Sequence, residues 1–230
     1  LLAVFLLQIY EAHLVETSER RLIAESVLIG EAWRDRWLEA QGRTPETAPS
    51  ARPPHAPDER FHPIEPVIAL DRRALPPAEP AAPAHLDETT PERRAGRAIK
   101  PLLDRAKVVN LSGARVLDTR GVVVATTGGQ LGEDLSKRPE VARALAGTYF
   151  AIARQRISDE PPPPLGSISR RGRLRLFTAT PIFSDGEVVG VVRMSRTSLA
   201  PMEVLWSHRR GLLLAAAGCL TLTLALTLLF

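Results

Sequence analysis

Cysteine is almost absent from this 230-residue chain: its one copy, Cys219, lies inside an apolar run at the far end. The rest of the chain therefore has no intramolecular disulfide and no thiolate metal site. Histidine is nearly as sparse, and His55, His62 and His85 lack the HxH or HxxxH spacing that would favour zinc. Aromatic residues amount to three Trp, two Tyr and six Phe. The 30 basic and 26 acidic residues are interspersed, for a net charge of only +4. No basic stripe interleaved with aromatics results, so nucleic acid is not an expected partner. Catalytic motifs are missing too. Ser112 and Ser167 lie outside any Gly-x-Ser-x-Gly elbow. The run Gly128-Gly129-Gln130-Leu131-Gly132 lacks the Lys-Ser/Thr of a phosphate loop. Asp118 and Asp134 fall where turn and helix-start residues belong, so no catalytic residue, metal or resident cofactor is assigned.

Charge is wholly missing from one stretch. Gly211–Phe230 holds twenty residues without an ionisable side chain other than Cys219. As a helix it would extend about 30 Å, the thickness of a bilayer's hydrocarbon core. A helix satisfies its own backbone polar groups in lipid, and Thr hydroxyls bond back to preceding carbonyls. Leu1–Tyr10 is apolar for seven residues before Gln8 and reads as the outer end of a first transmembrane helix. The two ends would then bracket one large loop, residues 11–208, on one side of a lipid bilayer.

Within that loop, residues 11–40 read as a membrane-proximal amphipathic helix. Leu14, Leu22, Val27, Leu28 and Ile29 alternate with a polar surface that includes Glu16, Glu19, Arg20 and Glu25. Trp33 and Trp37, one helical turn apart, should share a face. Residues 41–92 form a Pro-rich linker, holding twelve of the twenty prolines. Proline lacks an amide donor and breaks helices, so extended or irregular backbone is expected there. A helical period resumes over Arg93–Val109, bent or restarted at Pro101. The period then changes to two. Arg115–Asp118 and Val122–Thr126 flank Thr119-Arg120-Gly121 as a hairpin. Ser136 is placed to cap a short helix over Arg138–Ala146, ended by Gly147. Tyr149–Ile157, Arg173–Ile182 and Glu187–Ser195 read as strands, the last two joined at Phe183-Ser184-Asp185-Gly186. Ser158–Pro164 is a loop. From Ser198 the chain turns helical again towards the membrane segment.

Three stretches carry a family resemblance. VLDTRGVVVATT resembles a "strand, Asp-x-x-Gly, strand" opening; GEDLSKRPEVARALAG resembles a "Gly-x-x-Leu, then helix ending Ala-Leu-x-Gly" segment; TATPIFSDGEVVGVVRMS resembles a closing "Pro-Ile … Gly-x-x-Val-Gly-Val-Val" hairpin. In this order they resemble the extracytoplasmic PAS-like domain of the Cache type found in membrane-bound two-component histidine kinases. The resemblance implies an α+β fold: a PAS-like antiparallel sheet with a long N-terminal helix, flanked by transmembrane helices. The sensor domain would occupy residues 93–197, and residues 198–230 the connecting and second transmembrane helix. The implied protein sits in a bacterial inner membrane with residues 11–208 extracytoplasmic. It forms a homodimer through its membrane-proximal helices and answers an unknown small ligand or protein. It passes the stimulus to a cytoplasmic transmitter absent from this chain, which would use ATP and magnesium and act on a response regulator. His13 and His208 are not followed by the phosphoacceptor pattern of such a transmitter. The same module serves chemoreceptors and cyclic-dinucleotide enzymes; a membrane-anchored assembly protein, with the Pro-rich region as its working part, is the non-signalling alternative.

In domains of this type the ligand sits between the central sheet and neighbouring loops. Along Arg173–Ile182, Leu174, Leu176, Thr178 and Thr180 should face one side, and Arg173, Arg175, Phe177 and Ala179 the other. The candidate ligand-binding residues are Arg154, Arg175, Thr178 and Thr180, the two arginines suited to bidentate bonds with a carboxylate or phosphate. The tyrosine and aspartate pattern of amino-acid-binding relatives is not visible. His208-Arg209-Arg210 abuts the last helix on the side taken as extracytoplasmic, against the positive-inside tendency, but large domains translocate regardless of charge.

Overall fold

A computed structural model describes residues 2–45, 63–68, 74–156, 174–198, 206 and 209–229. The expected loop Ser158–Pro164 and most of the connection from Ser198 lie outside the described residues. The fold is α+β, a long N-terminal helix laid on antiparallel sheet.

Helix α1 runs unbroken over Leu2–Ala40. Its buried stripe, Val15, Leu22, Ile29 and Trp33, recurs at seven- and four-residue steps and rests on the sheet. Trp33 and Trp37 do share a face, with near-parallel rings 6.1 Å apart. The polar face differs from expectation at one position. Glu19 is fully buried, accepting from the Val67 and Ile68 amides and the Tyr149 hydroxyl. It lies three and four residues before Leu22 and Ile23, on the stripe itself, so helical geometry carries it inward. Val27 and Leu28, read as part of the apolar face, are exposed.

Helix α2 (Pro91–Asn110) starts at Thr90, whose hydroxyl accepts from the Arg93 amide, and stops at Leu111 in a left-handed conformation. Pro101 does not break it. The carbonyl that the proline leaves unbonded, on Arg97, lies on the exposed face, where water can take its place. The inner face, Ala95, Gly96, Ile99 and Leu103, packs on the sheet. Gly96 is required there, since a Cβ would sit 2.4 Å from the Val124 carbonyl oxygen.

Strands β2 (Gly113–Leu117), β3 (Val123–Thr126), β5 (Phe150–Gln155), β6 (Leu174–Ser184) and β7 (Glu187–Thr197) form one antiparallel sheet, ordered β3-β2-β7-β6-β5. The β2–β3 hairpin is held by Asp118, which accepts from the Arg120 and Val122 amides and the Arg120 guanidinium. The β6–β7 turn is Asp185-Gly186, both at positive φ, the conformation whose twist suits a two-residue hairpin. Phe183 and Ser184, expected in that turn, belong to β6.

The other face carries α3 (Pro139–Leu145) over a smaller core of Leu117, Leu135, Val141, Ala144, Ala179 and Val191. Ser136 does not cap this helix. Pro139 fixes its first turn, leaving Arg138 as cap residue with no side-chain bond to the helix amides, while the Ser136 amide is taken by Asp134. Glu133–Asp134, expected to lead into the helix, is instead the short strand β4, paired with β1 (Ala82–Pro83).

The described parts of the Pro-rich stretch are extended and docked. Leu75 adds a parallel bridge at the β5 edge, donating to Ala153 and accepting from Gln155. From there the chain reaches β4 at Ala82–Pro83. Residues 75–83 thus form a strap across the face of the sheet opposite α1. Beyond β7, helix α4 (Arg209–Leu229) is long and apolar enough to cross a membrane, and none of the other described residues buries its span.

Candidate functional site

Beneath the strap lies a cavity of about 460 Å³ whose charged lining is dominated by arginine: Arg115, Arg138, Arg154, Arg156, Arg175 and Arg193. Strand alternation explains the convergence. Arg115 faces Arg193 across β2 and β7, and Arg154 faces Arg175 across β5 and β6. Between these two pairs, on the same face, sits Phe177. Its ring centroid is 5.7 Å from the Arg175 guanidinium carbon and 4.3 Å from that of Arg193. Together these distances bound the separation of the two cations at about 10 Å.

What holds these arginines matters as much as where they are. Arg154 donates to the Pro76 carbonyl, Arg138 to the Glu79 carbonyl and Arg175 to the Ser195 hydroxyl. These neutral acceptors fix the guanidinium groups without cancelling their charge. Arg193 has a close carboxylate, donating through Nε and Nη2 to Oε1 of the fully buried Glu140 on α3, at 3.0 and 2.7 Å. Nε and Nη1 of Arg115 are buried without a hydrogen-bond partner, as is Oε2 of Glu133, another lining residue. Burial, then the charges of Arg193 and Arg175, push Arg115 down to about 10. Burial also pushes down Arg175 and Arg193, with neighbouring arginines adding to the effect. Arginine is not deprotonated in proteins, so all three keep their charge at neutral pH. Five of these guanidinium groups, on Arg115, Arg138, Arg154, Arg175 and Arg193, meet three carboxylates, Glu79, Glu133 and Glu140, an excess of two positive charges among the described residues. Such a cavity repels cations and is suited to binding an anion. Among the described residues no cluster of His, Cys, Asp or Glu is placed to hold a metal ion.

The four residues named from sequence divide between the two faces. Arg154 and Arg175 line the cavity. Thr178 and Thr180 do not, because they alternate with Arg175 and Phe177 and point under α1. Thr178 is fully buried with an unpartnered hydroxyl, and Thr180 shares a 2.7 Å hydrogen bond with Ser26 of α1. The residues that sequence reasoning missed are Arg115 and Arg193. Each interrupts an apolar run, Gly-Ala-Arg-Val-Leu and Val-Val-Arg-Met, and that interruption was the available signal.

No protein-family model matches the sequence, and no curated protein matches it. Among solved structures, the sensor domain of the V. cholerae histidine kinase DctB aligns over 47% of this chain, with 18% identity and a TM-score of 0.34. The match covers 39% of that chain, so the two share less than half of either length.

Proposed function

We propose that the chain is the signal-sensing and membrane-anchoring portion of a two-component sensor histidine kinase, with residues 11–208 outside the cytoplasm and a small anionic solute as stimulus. One observation carries the reading: an arginine-lined cavity in a domain whose last strand leads, through residues 198–208, into an apolar helix long enough to cross a bilayer. The order of α2, the β2–β3 hairpin, α3, β5, the β6–β7 hairpin and α4 supports a Cache-type plan. The docked strap favours sensing over the assembly-protein alternative, because residues 75–83 are engaged in roofing the cavity rather than offered to a partner.

In this reading an anion relieves repulsion among the arginines and draws strap, α3 and β7 together. That shifts a two-state arrangement of α1 and α4 in a homodimer. The transmitter, with its ATP and magnesium, would belong to a longer protein and act on a response regulator. The test uses the Cys219→Ser background carrying Arg105→Cys, an exposed position on α2. A membrane-impermeant maleimide should label it in intact cells. Labelling only after lysis would place the domain in the cytoplasm and overturn the proposal.

A further inference from the structure

Resting on that reading of the cavity as an anion site, we infer that its ligand is a protonated oxyanion of the phosphate class, with Arg115 donating to its oxygens and Glu133 accepting its remaining proton. Arg115 and Glu133 line the same cavity and influence each other electrostatically. Yet neither bonds the other: Arg115 Nε and Nη1 lack an acceptor, and Glu133 Oε2 lacks a donor. Buried polar groups left unsatisfied cost free energy, so the gap between them suits a molecule with both functions. Guanidinium N–H groups ask for oxygen acceptors, and a buried carboxylate oxygen asks for a proton donor. At neutral pH phosphate supplies both, because it keeps a hydroxyl while bearing negative charge. Sulfate and simple carboxylates are fully ionised and offer Glu133 only repulsion.

The rest of the lining agrees. It contains arginine but no lysine, which favours bidentate recognition of an oxyanion over attraction by a point charge. The excess positive charge fits an anion of more than one charge. Phe177, with Arg175 and Arg193 near its ring, forms a rigid base on which a compact group can rest. Free phosphate keeps that hydroxyl, whereas a phosphomonoester, whose second ionisation lies at about pH 6, is mostly a hydroxyl-free dianion at neutral pH, so the free ion is the better fit.

The experiment is isothermal titration of the full chain in detergent at neutral pH and fixed ionic strength. Inorganic phosphate, methyl phosphate, sulfate and acetate serve as probes. Phosphate should bind about tenfold or more tightly than sulfate, and acetate more weakly still. Methyl phosphate, mostly a dianion without a hydroxyl at neutral pH, should bind more weakly than phosphate, and binding as tight as phosphate would overturn the role given to Glu133. Arg115→Gln should weaken phosphate about tenfold or more. Arg115→Lys, which keeps the charge and protects the fold, should weaken it too because the fork is lost. Glu133→Gln supplies an amide donor in place of the carboxylate and should narrow or reverse the preference over sulfate. Arg36→Gln, on the exposed face of α1, should change nothing. Sulfate binding as tightly as phosphate, or a Glu133→Gln variant with unchanged preference, would overturn the phosphate assignment. Labelling of Arg105→Cys in intact cells alongside either result would leave the sensor reading standing.

Discussion

Breaking the Glu140–Arg193 pair tests whether the cavity stores electrostatic repulsion. The Glu140 side chain is 0% exposed and that of Arg193 6%. Both bonds from Arg193 go to a single carboxylate oxygen, while Oε2 of Glu140 is unpartnered. Glu140→Gln preserves shape but leaves Arg193 charged, buried and close to Arg138 and Arg154. Removing one partner of such a pair costs about 3–5 kcal/mol. For a chain of this size, at about 2–4 °C per kcal/mol, the unfolding midpoint should fall by roughly 6–20 °C. Arg193→Met with Glu140→Gln removes both members and should be more stable than Glu140→Gln alone by about 1 kcal/mol or more, since no charge is then stranded. Thermal unfolding followed by Trp fluorescence is a suitable assay, because buried Trp33 packs under Gly190 of β7. Phosphate should raise the midpoint of Glu140→Gln more than that of the parent, as the anion takes over the missing carboxylate's role. A single variant that loses less than about 1 kcal/mol, or a double variant no more stable than the single, refutes the reasoning.

Burial, reinforced by the Glu19 charge and the hydrogen bond to it, pushes Tyr149 far above its usual value. A raised pKa means that its stabilising contribution is complete below about pH 10, where the unfolded phenol is still neutral, and is lost as pH rises further. The parent should lose stability between about pH 10 and 11 more steeply than Tyr149→Phe, by about 1.4 kcal/mol per pH unit; equal slopes in denaturant titrations would contradict this. Gly190→Ala would set a Cβ 2.8 Å from the Leu117 carbonyl oxygen and 3.2 Å from the Trp33 ring. It should cost about 1–3 kcal/mol and alter Trp fluorescence, and an unchanged unfolding midpoint would count against the described packing.

Elements governed by neighbours in sequence were legible without coordinates. The Thr119-Arg120-Gly121 and Asp185-Gly186 turns announce themselves through residues that tolerate positive φ, and Gly121 and Gly186 adopt it. Alternation correctly separated Leu176 and Thr180 from Arg175 and Phe177, and applied to the candidate site it would already have divided the threonines from the arginines. What depends on distant partners was not legible. Glu19 looks like a surface carboxylate until Val67, Ile68 and Tyr149 are brought to it. The strap over the cavity is set by Leu75 pairing with β5 and Ala82–Pro83 with β4, contacts that a proline-rich composition cannot signal. Arg115 and Arg193 stood in view as interruptions of apolar strands, but only the sheet order places them side by side.

Helix α1 has a mechanical consequence. Val15, Leu22, Ile29 and Leu38 clamp more than half of its length to the domain, while Ile9 and Tyr10 project beyond the clamp on the same continuous helix. With no proline to serve as a joint, the exposed end follows any tilt or roll of the sheet as a lever follows its fulcrum. A displacement too small to notice at the cavity would emerge enlarged at the far tip of that rod.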